Sequence, residues 1–131
     1  IDYEVFILGS IIGFLCVGVL NLNNIRDIEN DSKMNKKTIP TRIGFRYAKF
    51  YHYFLIIASI LLIFTFATKF KISNNLTFII VGILPITFHL FKVNQAKSPI
   101  EFKPLLKQLA ISTFFFSIFM SIFLIYESIF F

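Results

Sequence analysis

The sequence has few charged residues and a single cysteine. Charged residues make up 15% of its 131 residues, against roughly a quarter in an average soluble domain, so a water-soluble globular domain is disfavoured. Cys16 stands alone in an apolar run, which excludes a disulfide framework and a thiolate metal site and predicts a buried, inert thiol. Acidic residues are also scarce: between Glu4 and Glu101 only three occur, all within residues 23–44.

Apolar side chains are abundant instead, at 56% of the residues with 19 Phe. Four uncharged runs of 16 to 19 residues occupy 5–22, 50–68, 76–91 and 109–126. A membrane-spanning helix needs about 20 mostly apolar residues, and apolar side chains all round a helix are typical of a span rather than a surface helix. The sequence therefore predicts an all-α integral membrane helix bundle in contact with membrane lipid, rather than the buried helices of a large soluble core.

The Lys and Arg residues are unevenly divided among the segments between these runs. Segments 23–49 and 92–108 together carry eleven of the thirteen, and segment 69–75 carries two. The positive-inside rule then places both strongly basic segments, which are predicted to be loops, in the cytoplasm and both chain ends outside. The expected location is the cell (inner) membrane of a bacterium. This topology accounts for the net charge of +6; anionic lipid headgroups are a secondary partner, and no nucleic acid is expected as one.

Several small or polar residues in the runs have predicted roles in packing. Gly9 and Gly13 have the small-xxx-small spacing that lets another helix approach closely. His52 lies among tyrosines at the start of the second run, where amphipathic rings are expected at the membrane interface. His89 lies inside the third run, where an ionisable group is a functional candidate. A neutral imidazole hydrogen-bonded between two helices is the favoured interpretation of His89.

The polar segment 23–44, NNIRDIENDSKMNKKTIPTRIG, holds the candidate site residues. If the first helix continues into it, Asn24, Asp27 and Asp31 share one face. Three other charged residues lie on nearly the opposite face: Arg26, Glu29 and Lys33. Two carboxylates at this spacing repel each other, and Mg²⁺ would reverse that repulsion, since it takes one or two carboxylates and bridges to phosphates. From spacing alone, a solvated loop whose acids offset its bases is an equal alternative.

The same segment resembles the second aspartate-rich motif of the UbiA-type membrane prenyltransferases. The closest likeness is to the branch that prenylates 1,4-dihydroxy-2-naphthoate in menaquinone synthesis, where the motif runs roughly NNxRDxxxDxxxGKxTLAVxxG. The positions that match it in order are Asn23, Asn24, Arg26, Asp27, Asp31, Lys36, Thr38 and Gly44. The order of spans around the motif also fits, and KPLLKQLA at 103–110 is similar to the stretch before the family's last helix.

The chain departs from the family pattern in three places. Asn35 stands where glycine is usual, and Asn is among the few residues that adopt the left-handed backbone. The run IPTR at 39–42 replaces the common LAV-type run. The family's first aspartate-rich motif, an NDxxD-like sequence, does not occur in residues 1–131. These residues are therefore interpreted as the C-terminal part of one UbiA-type domain, which needs the missing N-terminal half as a partner and is inactive alone.

The resemblance implies Mg²⁺-dependent transfer of a polyprenyl group from polyprenyl diphosphate to an aromatic acceptor. Asp27 and Asp31 would be the catalytic and metal-binding residues, holding Mg²⁺ on the diphosphate. The residues implied in binding diphosphate or substrate are Asn23, Asn24, Arg26, Lys33 and Lys36. Because the helix-face argument directs the basic side chains away from the carboxylates, we expect the helix to break near Asn30 or Ser32.

Other interpretations of the sequence remain open. The acceptor could be 4-hydroxybenzoate or a similar ring rather than the naphthoate. The chain could also be a non-catalytic membrane subunit whose basic loop docks on lipid or on a partner. A transporter part, with Pro85 and His89 marking a pathway, would require polar residues in several spans, and the runs contain very few.

Overall fold

The computed structural model describes the backbone of residues 3–69 and 75–130 and the side chains of residues 3–68 and 82–126. The described backbone is helical almost throughout and contains no strand, which confirms the all-α prediction. The helices are α1 (Tyr3–Arg26), α2 (Ile28–Lys33), α3 (Ile39–Lys69), α4 (Asn75–Gln95) and α5 (Phe102–Phe130), with a 3₁₀ turn at Pro99–Glu101.

The four long helices pack in a ring, because α1 contacts α3 and α5, and α4 also contacts α3 and α5. The interior of the ring is apolar, with Ile11 and Leu15 of α1, Ile56 of α3 and Leu109 of α5 all fully buried. Large apolar side chains also cover the outside of the ring: Phe6, Leu20, Phe54, Leu61, Phe88 and Phe115. Such exposed apolar surface costs about 25 cal/mol per Å² in water, and lipid removes that cost.

Three of the helical segments are long and apolar enough to cross a membrane: Tyr3–Arg26, Ile39–Thr68 and Pro99–Tyr126. They contain the predicted runs 5–22, 50–68 and 109–126. The predicted run 76–91 falls within α4, but its first six side chains lie outside the described residues. The chain is thus an integral membrane protein.

The two basic segments are mainly helical rather than open loops, which corrects the prediction for 23–49 and 92–108. Capping contributes to this. At the start of α3, the Thr41 N–H donates to Thr38 Oγ1 at 3.3 Å and the Thr38 N–H donates to Thr41 Oγ1 at 2.8 Å. This reciprocal pair satisfies N–H groups that a helix start leaves free. Pro40, in the first turn of α3, has a fixed φ that suits it.

Close helix packing uses glycines other than the predicted ones. A Cβ added at Gly9 or Gly13 would meet no atom of the described residues within 4 Å, so these two glycines make no close helix contact in the described part of the chain. A Cβ at Gly18 would lie 3.1 Å from Ile56 Cδ1, and one at Gly82 would lie 3.0 Å from Phe116 Cε2. The spacing of small residues gave no indication of which face of α1 turns inward.

Candidate functional site

The turn at Asp27 separates α1 from α2. Its backbone (φ −96°, ψ 8°) lies in the sparsely populated region where many active-site residues are found. Hydrogen bonds continue across the turn, from the Asp27 N–H to the Asn23 carbonyl at 3.1 Å and from the Asp31 N–H to the Asp27 carbonyl at 2.8 Å. The predicted break near Asn30 or Ser32 is therefore wrong, because α2 includes both residues and the bend lies at Asp27.

Arg26 and Asp27 form a two-pronged ion pair beside the turn. Arg26 Nε donates to Asp27 Oδ1 at 2.7 Å and Arg26 Nη2 donates to Asp27 Oδ2 at 2.5 Å. The hydrogen bond from Arg26 holds the pKa of Asp27 below its usual range, so its carboxylate is ionised at neutral pH. The expectation that Arg26 lies away from the carboxylates is wrong, because the turn lets two consecutive side chains lie side by side.

Asp31 has a different environment, since its side chain is buried. Lys36 Nζ donates to Asp31 Oδ1 at 3.2 Å, while the buried Oδ2 has no hydrogen-bond partner among the described residues. The chain returns to Asp31 through a turn in which the Lys36 N–H donates to the Asp31 carbonyl at 2.8 Å. Asn35 in that turn has φ 54°, the predicted left-handed conformation. A buried carboxylate oxygen without a donor is costly and would favour a bound cation.

An open cavity of about 450 Å³ lies beside the Asp27 turn. Residues from the motif and from the turn before α5 line it: Arg26, Asp27, Glu29, Asn30, Lys33, Ser98, Pro99 and Ile100. The cavity thus joins three of the predicted site residues, Arg26, Asp27 and Lys33. Lys33 makes no ion pair with any residue that the structure describes.

The remaining predicted site residues do not line this cavity. Lys36 lines a second cavity of about 440 Å³ together with Lys37 and Arg42. Asn23 and Asn24 are half-buried at the end of α1 and line neither cavity. The motif therefore presents basic side chains to two separate cavities.

Asp27 and Asp31 are of the kind and number of ligands that Mg²⁺ takes from a protein when substrate oxygens complete its coordination. Within the described part of the chain, no group of three or more His, Cys, Asp or Glu side chains could hold a metal ion. Mg²⁺ typically takes only one or two protein carboxylates, keeps several waters and binds substrate phosphates. The unpartnered Asp31 Oδ2 and the part-exposed Asp27 carboxylate supply that number of protein ligands.

The backbone conformation at Gly44 explains why the last position of the motif is a glycine. It interrupts α3 with φ 80° and ψ 164°, a backbone conformation that is essentially confined to glycine. A Cβ there would meet no atom of the described residues within 4 Å, so backbone conformation rather than space requires glycine. The next residue, Phe45, packs edge-to-face on Phe102 at the start of α5, with ring centroids 5.7 Å apart.

The turn before α5 forms the far wall of the Asp27 cavity, and the motif analysis missed it. Glu101 Oε1 accepts from the Ser98 N–H at 3.1 Å and from Ser98 Oγ at 2.5 Å. Lys49 Nζ of α3 donates to the Ala96 carbonyl at 2.7 Å. The sequence SPIE at 98–101 carries the S-x-x-E capping signal that could have identified this turn.

A buried histidine pair links α3 to α4. The Nε2 atoms of His52 and His89 lie 3.0 Å apart, and both residues are fully buried. The interhelical hydrogen bond predicted for His89 is thereby confirmed. The interface position predicted for His52 is wrong, because its ring faces the interior of the bundle.

A largely apolar groove of about 340 Å³ lies between α1 and α5. Its lining includes Ile12 and Val19 of α1 and Phe114 of α5. Cys16, predicted to be buried, is exposed there. On α1 the groove is lined by residues that precede the motif in the sequence, from Ile12 to Val19.

Comparison with known proteins identifies the family. The model of the UbiA prenyltransferase family matches residues 1–119. The chain is 31% identical over 110 residues to a 1,4-dihydroxy-2-naphthoate octaprenyltransferase of Haemophilus influenzae, a match covering 84% of this chain and 36% of the relative. It is 42% identical over 48 residues to the Escherichia coli protein of the same name, covering 37% of this chain and 16% of that relative.

The chain thus spans about a third of the length of the Haemophilus relative. No solved structure matches the chain significantly. The family match covers all of α1 to α4 and most of α5, including both walls of the Asp27 cavity. The chain belongs to the UbiA prenyltransferase family.

Proposed function

We propose that the complete protein containing this chain transfers a polyprenyl group from polyprenyl diphosphate to 1,4-dihydroxy-2-naphthoate, with Mg²⁺ as cofactor. The observation that carries the proposal is the ionised Asp27 beside Arg26 and Lys33 at a cavity next to the apolar bundle. The names of the two relatives support the choice of acceptor. A segment outside this chain supplies the family's first aspartate-rich motif.

The reaction breaks the allylic C–O bond and forms a C–C bond to the electron-rich ring, with loss of the naphthoate carboxyl group as CO₂. Negative charge develops on the departing diphosphate, and preorganised cations are effective at stabilising such charge. Lys33, without an ion pair among the described residues, is free to bind a diphosphate oxygen. Arg26 orients the Asp27 carboxylate and keeps it ionised.

Mg²⁺ bound by Asp27 and Asp31 would neutralise diphosphate charge. Asp31 offers the unpartnered Oδ2 toward such an ion, and Lys36 balances the charge at Oδ1. Asn23 and Asn24, half-buried beside the turn, have side-chain amides that can bind diphosphate or acceptor oxygens.

The apolar surface of the bundle suits the other end of the substrate. A polyprenyl chain is a hydrocarbon, and the groove between α1 and α5 and the outer face of the ring are both apolar. In the proposed orientation the motif lies on the cytoplasmic side of a bacterial inner membrane and the prenyl tail extends into lipid.

The test is an assay of the complete protein in membrane vesicles with a polyprenyl diphosphate, dihydroxynaphthoate and Mg²⁺. Asp27→Asn and Asp31→Asn should each lower turnover by about 100-fold or more, as loss of a catalytic electrostatic contact does. Glu4→Gln, which neutralises an exposed carboxylate at the opposite end of α1, is the matched control and should retain turnover.

Three results would contradict the proposal. Wild-type turnover that persists after EDTA has chelated the divalent cations would contradict the proposed role of Mg²⁺. Turnover with 4-hydroxybenzoate but not with dihydroxynaphthoate would change the acceptor. An absence of turnover with either ring, in protein that is correctly inserted, would favour a non-catalytic subunit.

A further inference from the structure

The Asp27 cavity has two chemically different walls. The wall from the motif carries two cations, Arg26 and Lys33, and two carboxylates, Asp27 and Glu29. The opposite wall is formed by Ser98, Pro99 and Ile100 and is mainly apolar. The Ile100 residue is 69% exposed, so its side chain is available to a ligand.

The apolar wall is held rigidly at its N-terminal side. Ala96 is buried, and its carbonyl accepts the 2.7 Å hydrogen bond from Lys49. Lys49 Nζ also lies 3.5 Å from the Asn94 carbonyl, so one ammonium group binds the end of α4 and the start of the turn. The turn is thereby tied to α3.

The other side of the turn is equally fixed. Phe102 is fully buried and packs on Phe45, the residue after the Gly44 break. Glu101 accepts hydrogen bonds from the backbone N–H groups of Lys97 and Ser98, at 3.3 and 3.1 Å. Pro99 adds a fixed φ at the turn itself. An exposed isoleucine on so constrained a turn is a preorganised contact surface.

The combination of walls selects a particular kind of ligand. A charged wall facing an apolar wall suits a small, flat molecule with an aromatic body and a polar or anionic edge. Small-molecule sites typically occupy about 300–1,000 Å³, and the cavity of about 450 Å³ is within that range. A polyprenyl tail is too long for this cavity and has the apolar groove and lipid available instead.

We propose that the turn Ser98–Ile100 is the acceptor wall of the site, with Pro99 and Ile100 packed on the face of the aromatic acceptor. This inference rests on the proposed prenyl transfer, and it assigns to Ile100 the selection of the acceptor ring. The polar edge of the ring faces the basic side chains of the opposite wall. Lys49 is a positioning residue that acts through the turn.

The first experiment is a labelling assay that does not need turnover. Ile100→Cys is introduced into the complete protein after Cys16 and any other cysteine have been replaced, and is labelled with a water-soluble maleimide. Dihydroxynaphthoate should slow labelling of Cys at position 100 by about fivefold or more near saturation. Lys97→Cys is the matched control, because Lys97 is exposed on the same turn but does not line the cavity.

Each outcome of the labelling assay decides the proposal. If dihydroxynaphthoate slows maleimide labelling at position 100 but not at position 97, the result supports the proposal. Protection by polyprenyl diphosphate with Mg²⁺ but not by the acceptor, protection by neither ligand, or equal protection at both positions would overturn it. Protection by the acceptor in protein without any prenyl transfer would refute the proposed function and leave the acceptor wall intact.

Kinetics of Ile100→Ala provide a second measurement. The KM for the acceptor should rise about tenfold, the usual scale for losing an apolar pocket contact, while the KM for polyprenyl diphosphate stays within about twofold. A rise in the KM for the diphosphate alone would assign the turn to the other substrate. Lys49→Met should reproduce the acceptor effect and Lys49→Arg should largely restore the wild-type KM.

Discussion

The Nε2 atoms of His52 and His89 lie 3.0 Å apart inside the helix ring and join α3 to α4. At this distance one nitrogen must carry the proton that the other accepts, so the two rings have opposite tautomers at Nε2. Both Nδ1 atoms are buried, and the backbone of Gly18 lies beside the His52 ring. The pair is therefore a buried polar contact between α3 and α4 in which each ring is the other's partner at Nε2.

Replacing either histidine should destabilise the bundle, because the ring that remains is buried and has lost its partner. His89→Leu leaves a buried polar ring at position 52, which costs about 1–3 kcal/mol. In the double variant His52→Leu/His89→Leu part of that cost should disappear, with a coupling free energy of about 0.5–2 kcal/mol. The coupling free energy is obtained by measuring the unfolding, in mixed micelles, of the wild type, the two single variants and the double variant. Strictly additive effects would show that the contact is not formed.

The backbone at Gly44 should make glycine irreplaceable there. Gly44→Ala should cost about 1–3 kcal/mol of unfolding free energy, the usual strain of this backbone region for a residue with a Cβ. Gly44→Asn should be no better, because ψ 164° is far from the left-handed helical region that Asn tolerates. Asn35→Gly, at φ 54°, should be nearly neutral. If Gly44→Ala had the same free energy of unfolding as the wild type, the interruption of α3 at Gly44 would be contradicted.

The Arg26–Asp27 ion pair should give a defined pH dependence. Because the pKa of Asp27 is lowered in the folded protein, the pair stabilises the fold above the unfolded pKa of about 3.9. That stabilisation is lost as the pH falls through the lower, folded pKa. The stability deficit of Arg26→Gln relative to wild type should therefore be constant above about pH 5 and vanish in strong acid.

Unfolding measured from strong acid up to neutral pH tests this expectation. Lys33→Gln is the control, since Lys33 makes no ion pair with a described residue and its deficit should not follow the titration of Asp27. A deficit of Arg26→Gln that grows as the pH falls would contradict a stabilising ion pair with a lowered carboxyl pKa.

Loss of the Lys49 contact should loosen the turn before α5 without unfolding the bundle. Lys49→Met removes the donor to the Ala96 carbonyl, and hydrogen bonds from charged groups contribute about 1.5–3 kcal/mol. Amide hydrogen exchange of residues 96–101 should become about tenfold faster or more, while the centres of α1 and α3 keep their protection. Uniform acceleration along the chain would mean that Lys49 supports the whole fold.

Much of the architecture could be predicted because it depends on local composition. Uncharged runs near the length of a bilayer crossing predicted helices in the right places, since a backbone in lipid must satisfy its own hydrogen bonds. The left-handed Asn35 was also predictable, because few residue types adopt that conformation at low cost. The prediction that the polar segments are loops was wrong, because Thr38 and Ser98 cap helical turns within those segments.

The candidate site was only partly predictable. Helix periodicity grouped Asp27 with Asp31, whereas the one-residue turn puts Asp27 at the cavity with Arg26 and Lys33 and leaves Asp31 buried against Lys36. A single residue outside helical geometry changes the direction of every later side chain, and periodicity assumes that none occurs. The turn Ser98–Ile100, which lines the same cavity, lies some seventy positions further along the chain, beyond the reach of any local pattern.

The sequence by itself determined the family, the membrane-spanning character and the residue types of the motif, because these follow from composition and from the order of polar residues. Only the tertiary structure decided which side chains meet. The His52–His89 contact, the packing at Gly18 and the two walls of the Asp27 cavity all join residues from different helices. Such contacts depend on how each helix is rotated toward its neighbours, which the packing of whole faces sets and no local pattern encodes.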